Sequence, residues 1–219
     1  MHPVSKKLGL GLEFTIFIIG LPLLMYAVLP VKYLLPMIWA AALYCYVIVR
    51  MIRHEGIGDD WNPKAINGAN LKPILLRFIV CAVLMAMLTW CFTPELLFSF
   101  VRQNPAFWAL IMLLYPMLSV VPQEVIFRQF FFMRYQPLFP RALLMIAMSG
   151  LAFAFAHILF HNWLAPVLCL IGGVMFAQTY HKTRSLALVA LEHALYGDFL
   201  FTVGLGRYFY HGTVAAALH

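Results

Sequence analysis

Three short polar runs interrupt an otherwise apolar sequence, and each carries side chains able to do acid–base chemistry. The first is Val121-Pro122-Gln123-Glu124-Val125-Ile126-Phe127-Arg128. The second is Phe153-Ala154-Phe155-Ala156-His157, followed by His161 and Asn162. The third is Glu192-His193-Ala194-Leu195-Tyr196-Gly197-Asp198. Together they offer a carboxylate, two deep histidines, an arginine and side-chain amides. Amide hydrolysis needs a base to take a proton from water and donors to hold the oxyanion that forms. No Ser or Cys stands beside these histidines, so water is the nucleophile the inventory favours.

The spacings say which of these groups can meet. Glu124 and Arg128 are i and i+4, so on a helix they share a face and can pair. Pro122 lacks an N–H and its ring clashes with the carbonyl of Leu118, while Pro116 lies one and a half turns earlier. The helix is therefore expected to bend here and to free carbonyls. A buried ion pair at a proline kink, with no catalytic role, accounts for this run equally well on its own. His157 and His161 are also i and i+4, half of a metal site by spacing, but the internal Glu of an HExxH zinc motif is missing. His161 falls at a helix end, where it can simply meet water. Glu192 and His193 are adjacent, about 100° apart on a helix, and cannot both face one cavity. His193 and Gly197 share a face, with Asp198 near it. Hydrogen bonding between helices would explain this third run without catalysis.

These groups have to be held by elements that cross a membrane. Of 219 residues, 64% are hydrophobic and only 11% charged, against roughly 45–50% and about 25% in soluble domains. Mean hydropathy is +0.89. Such a chain cannot cover a globule with polar surface. At about 20 apolar residues per crossing, seven spans are expected, roughly 8–30, 31–50, 73–93, 106–135, 143–161, 163–181 and 184–204. The tail 208–218 is too short to cross and is read as interfacial or re-entrant, which makes seven to eight helices. The first apolar run is a span rather than a cleaved signal peptide, being long and lacking a small-residue cleavage site. The expected fold is all-α, a polytopic helical membrane protein. It forms a single transmembrane domain over 1–219, with a motif-bearing core at about 106–204.

The net charge of +7 does not point to nucleic acid, because the basic residues sit between apolar runs, where they orient spans. With the N-terminus in the cytoplasm, Lys6, Lys7, Arg50, Arg53, Lys64, Lys72, Arg134, Arg141, Lys182 and Arg184 lie inside. Lys32, Arg102 and Arg207 lie outside. The chain is thus expected in a membrane, as in a bacterial inner membrane, with the N-terminus cytoplasmic and the lipid bilayer as its partner. The polar connection Met51–Lys72 reads as a cytoplasmic loop, and its Glu55, Asp59 and Asp60 as solvated charges rather than a metal site. Cys45, Cys81, Cys91 and Cys169 lie in apolar stretches without ligand spacing and read as buried, inert thiols. Phe130, Phe131, Phe132 and Tyr135 beside Arg134 read as an interfacial aromatic belt. Gly173 and Ala177 give a small-xxx-small spacing for close helix packing. Ionisable residues within spans usually face the bundle interior and mark function; Glu13, Arg77, Glu124, Arg128, His157, Glu192, His193 and Asp198 are in that position.

The order Gln123-Glu124-x-x-x-Arg128, Phe153-x-x-x-His157 and His193-x-x-x-Gly197, each motif on its own span, resembles the CPBP intramembrane proteases. These include the CAAX-prenyl endopeptidases and the bacteriocin-processing Abi proteins. The run Pro-Gln-Glu, with Phe-Arg and several aromatics after it, also resembles a bacterial subgroup linked to processing of C-terminal sorting signals. The resemblance implies a helical bundle with its site in an intramembrane cavity and a glutamate-dependent mechanism, although the family is often labelled metalloprotease. It implies no cofactor and no metal. It implies that Glu124 and His157 activate water, that His193 stabilises the oxyanion, and that Arg128 holds Glu124. Two departures stand out. The family begins Glu-Glu where this chain has Gln123, so the base role is expected to pass to Glu124. The family has Asn where this chain has Gly197, so Gln123, Asn162 or Asp198 is expected to support the oxyanion.

The leading expectation is therefore an intramembrane endopeptidase that hydrolyses a peptide bond in or next to a membrane-anchored peptide or protein substrate. A catalytically silent relative, acting as an immunity or scaffold protein, is the alternative that Gln123 and Gly197 favour. A haem protein using His157 and His193 as axial ligands fits the Glu124–Arg128 pair badly. A zinc enzyme stays open at this stage.

Overall fold

A computed structural model describes residues 3–28, 31–52 and 60–209. Among them, seven helices are long and apolar enough to cross a membrane: α1 Ser5–Val28, α2 Leu34–Ile52, α3 Gly68–Phe92, α4 Pro105–Arg134, α5 Ala142–Phe160, α6 Leu164–Thr183 and α7 Leu186–Val203. The expected spans agree with these to within a few residues. The described residues hold no strand, and the protein is a polytopic helical membrane protein. Of the expected tail, Tyr208 and Phe209 close a tight turn, Leu205–Phe209, and the remainder lies outside the described residues.

Helix α7 is the centre of the bundle. It packs against α3, α4 and α6, and 56% of its span is buried against 11% of α3. Its start is fixed by Ser185, whose Oγ accepts the N–H of Leu188 at 3.1 Å and donates to the Asn62 carbonyl at 2.8 Å. That is an N-cap in which the side chain satisfies a helix-end donor. The same turn is strapped to the loop by the N–H groups of Leu186 and Ala187, which reach the carbonyls of Asp60 and Trp61. Asp60 is therefore not a free solvated charge as expected; its carboxylate accepts the Tyr180 hydroxyl at 2.8 Å. Glu55 and Asp59 lie outside the described residues.

The most extensive helix contact joins α5 to α6, and it depends on small residues. A Cβ on Gly150 would press on the backbone of Val174, and one on Gly173 would sit 3.0 Å from the Phe153 ring and 3.1 Å from the Gly150 carbonyl oxygen. Ala177 is fully buried beside them, so the small-xxx-small expectation holds.

Helix α4 carries the first polar run and is irregular where its prolines fall. Its backbone widens to π turns over Pro116–Val120 and Val125–Phe130, the kind of bulge that often marks a functional site. The Leu118 carbonyl, which Pro122 cannot satisfy, accepts the indole N–H of Trp39 on α2 at 2.9 Å. The freed carbonyl expected from sequence is thus what fastens α4 to α2.

Two expectations need correction. Phe130, Phe131, Phe132 and Tyr135 are not an interfacial belt; all four are buried. Edge-to-face contacts hold Tyr135 among Phe14, Phe130 and Phe131, and Arg134 turns to Glu13 on α1, with Nε 2.9 Å from Oε1. Aromatic rings gain more from such packing than from an interface when a neighbouring helix supplies partners. Of the four free cysteines, Cys45 and Cys169 are buried, but Cys81 is only half-buried and Cys91 is exposed. The last turn of α3 faces away from the bundle, as exposed Trp90 and Phe92 show.

Candidate active site

The three polar runs converge. Glu124 and Arg128 are essentially fully buried, and Arg128 Nε lies 3.2 Å from Glu124 Oε2. Glu124 Oε1 meets Nδ1 of His193 on α7 at 2.8 Å. A carboxylate can only accept here, so Nδ1 carries the proton and Nε2 is left with its lone pair. That lone pair faces Tyr115, whose hydroxyl is 3.2 Å away. The imidazole is clamped as well, stacked on Phe176 at 4.7 Å between centroids and set edge-on to Phe153 at 5.4 Å.

The second run is organised by its backbone. The helix tightens at His157 into a short 3₁₀ turn, His157–Phe160, and the peptide N–H of His157 bonds to Ala154 rather than to Phe153. The Phe153 carbonyl is thereby freed and takes Nδ1 of His157 at 2.7 Å. A carbonyl only accepts, so His157 also presents an unprotonated Nε2. Phe153 thus serves three groups: its carbonyl orients His157, its ring packs on His193, and its face lies 5.1 Å from the Arg128 guanidinium. Arg128 Nη1 also donates to Ser149 Oγ at 3.0 Å and to the Phe127 carbonyl at 3.2 Å. Ser149 in turn donates to the Phe127 carbonyl at 2.7 Å.

These groups border a cavity of about 1200 Å³ to which all seven spans contribute. Its walls are mainly apolar. Tyr115, Gln123, His157, His193 and Gly197 line it, whereas Glu124 and Arg128 do not. Glu124 therefore stands behind His193 rather than in the cavity. Gln123 is the side chain that faces the space; its amide donates to Ser119 Oγ at 2.8 Å, and its Oε1 has no hydrogen-bond partner.

The supporting residues expected from sequence are placed elsewhere. Asn162 spends its amide on the carbonyls of Phe160 and Tyr208, at 3.0 and 2.7 Å. Its Oδ1 caps the start of α6 by accepting from Ala165 N–H at 2.9 Å. Asp198 lies on a separate small groove between α4 and α7. His161 adopts a left-handed backbone with φ 55° and stacks on Tyr26 of α1 at 4.2 Å. Glu192 points away from His193, as the adjacency argument requires, and pairs with Arg77 of α3 at 2.9 Å. Tyr115, Phe176 and Ser149 are site residues that sequence reasoning missed. No spacing rule singles out Tyr115 within its apolar run, although its place just before Pro116 was a signal that the helix there is irregular.

No group of three or more His, Cys, Asp and Glu side chains converges among the described residues. Catalytic zinc sites typically use three protein ligands, so the two imidazoles here form an incomplete donor set and do not fit a resident zinc.

The structure is thus a helical membrane bundle with a buried acid–imidazole pair beside an apolar cavity. Residues 105–197 match the family model described as type II CAAX prenyl endopeptidase Rce1-like, so a CAAX-protease-like domain runs from the start of α4 to Gly197. No curated protein and no solved structure matches the chain.

Proposed function

We propose that the protein is an intramembrane endopeptidase that hydrolyses a peptide bond in or beside a membrane-anchored segment. The observation that carries this reading is the Glu124–His193 pair, with Nδ1 bound to the carboxylate at 2.8 Å and the opposite ring edge on the cavity. Glu124 acts through His193. It holds the tautomer in which Nε2 is basic and stabilises the imidazolium that forms when Nε2 takes a proton from water, the logic of a carboxylate behind a general-base histidine. Arg128, ringed by Phe153 and Phe176, holds Glu124 in place. His157 presents a second basic nitrogen that orients water or the scissile amide. Gln123 accepts a hydrogen bond from either through its free Oε1. The apolar walls suit a lipid-soluble substrate segment. Because α1–α3 contribute walls and α4–α7 contribute the chemistry, the whole chain works as one transmembrane unit. The charge bias supports an N-terminus in the cytoplasm, as in a bacterial inner membrane, which a reporter-fusion series across the loops checks.

The second reading, a catalytically silent relative acting as a scaffold or immunity protein, is favoured by one observation: the residue facing the cavity beside Glu124 is the neutral Gln123. One experiment separates the two. Purified full-length protein in liposomes is offered a panel of membrane-anchored peptides, comparing wild type with Glu124→Gln, His157→Ala and Gln123→Glu. Cleavage by wild type that is lost in the first two variants supports the peptidase. Cleavage by Gln123→Glu alone supports the silent relative.

A further inference from the structure

The peptidase chemistry needs a donor for the oxyanion, and the cavity narrows the choice. Asn162 and Asp198 are outside its lining. Asn162 has both amide hydrogens engaged, and helix backbone N–H groups are already bonded within their helices. Gln123 has one amide hydrogen committed to Ser119. Tyr115 lines the cavity, carries a hydroxyl with one proton to give, and sits 3.2 Å from the nitrogen that must activate water.

Its position is secured by a glycine. A Cβ on Gly197 would collide with the Tyr115 ring at its hydroxyl end, so the phenol occupies the space that any side chain at 197 would need. Gly197 lies one turn after His193, in the interior of α7, where glycine costs helix stability and calls for a packing or functional reason. Phe201, a further turn on, braces the ring edge-on at 5.3 Å. Gly197 and Phe201 thus hold the phenol over His193 from the same helix face.

We propose that Tyr115 is the oxyanion donor of this site, admitted to it by Gly197. This rests on the peptidase reading above. In the substrate-free site the phenol donates to His193 Nε2. When water takes that lone pair, the phenol proton is freed for the substrate carbonyl. The water oxygen then bonds to the carbonyl carbon as its proton passes to Nε2, and the carbonyl π electrons move to oxygen, where Tyr115 donates. The carbonyl re-forms as the C–N bond breaks, and Nε2 returns its proton to the leaving amine.

The test uses full-length protein in liposomes, with a cleavable membrane-anchored peptide and a phosphinate peptide that mimics the tetrahedral intermediate. Tyr115→Phe is expected to keep KM within about twofold, to lower kcat by about 10²–10³-fold, and to lose affinity for the phosphinate but not for the uncleaved peptide. Gly197→Ala should reproduce that loss by displacing the ring. Tyr115→Phe combined with Gly197→Asn should regain part of it, because an amide then occupies the vacated space. A Tyr115→Phe enzyme with wild-type kcat and wild-type phosphinate affinity overturns this assignment and leaves the peptidase reading intact. A wild type that neither cleaves nor prefers the phosphinate overturns both. A wild type that does not cleave, yet prefers the phosphinate in a Tyr115-dependent way, overturns hydrolysis while upholding Tyr115 as the donor. Melting curves of each variant in detergent separate these effects from misfolding.

Discussion

Two buried glutamates, each paired with an arginine, lie on neighbouring helices of the same bundle, and only one belongs to the candidate site. Glu124 is held by Arg128 and passes its second oxygen to His193. Glu192 is held by Arg77, which also reaches Gln178 and Thr179. The two carboxylates are equally buried and each has an arginine; what differs is the third partner and where it faces. His193 carries the influence of Glu124 to the cavity, whereas the Glu192 cluster ends in a half-exposed arginine between α3 and α7. A buried acid–arginine pair in a membrane bundle is thus a structural tie by default. It becomes a candidate for chemistry when a titratable group links it to an accessible cavity.

The largest expected effect separates the two directly. Glu124→Gln removes the carboxylate that fixes the His193 tautomer, and the equivalent change behind a general-base histidine costs about 10⁴-fold in kcat, or about 5 kcal/mol of barrier. Glu192→Gln should leave kcat within about threefold. Cleavage kinetics of both variants in liposomes provide the check, and equal losses would break the comparison.

The arginines come next, read in stability. Arg128→Met leaves Glu124 buried without its counter-charge, and breaking such a pair costs about 3–5 kcal/mol. Arg77 is 34% exposed, so water and lipid headgroups can partly replace it. Arg77→Met should cost about 1.5–3 kcal/mol, the range for losing a hydrogen bond to a charged group. Denaturant titration in mixed micelles measures both, and the comparison fails if the order reverses.

Much of this contrast was legible in the sequence, and the reasons are specific. Apolar run length placed the seven spans. The i, i+4 spacing placed Arg128 on Glu124, and adjacency forced Glu192 and His193 apart. The ring of Pro122 predicted a freed carbonyl, which Trp39 takes. What stayed hidden depends on how helices rotate against one another. Nothing local says that Glu124 sits behind His193 while Gln123 faces the cavity. Tyr115 is one of ten tyrosines, marked only by its contact with Gly197 across two helices. The aromatic residues after Arg128 looked interfacial because a composition rule cannot see Phe14 arriving from α1. Asn162 looked like a free amide because its carbonyl partners, Phe160 at the end of α5 and Tyr208 in the turn after α7, meet it only once the bundle is folded.

The smallest expected effect tests whether the hydroxyls beside each arginine differ as the glutamates do. Ser149 is fully buried, accepts from Arg128 and donates to the Phe127 carbonyl. Ser149→Ala therefore removes two buried hydrogen bonds at once, leaving only the direct Arg128 Nη1 bond to the Phe127 carbonyl at 3.2 Å, at a cost of about 1–3 kcal/mol. Arg128 then loses its anchor on α5, so Glu124 should drift from His193 and kcat should fall about tenfold beyond the loss of stability. Thr179→Val is the counterpart. Its hydroxyl meets Arg77 at 3.2 Å, but Arg77 keeps Glu192 and Gln178, so the cost should be about 1 kcal/mol with kcat unchanged. If Ser149→Ala lowers stability without touching kcat, Arg128 positions nothing, and the two acid–arginine pairs differ only in the histidine beside one of them.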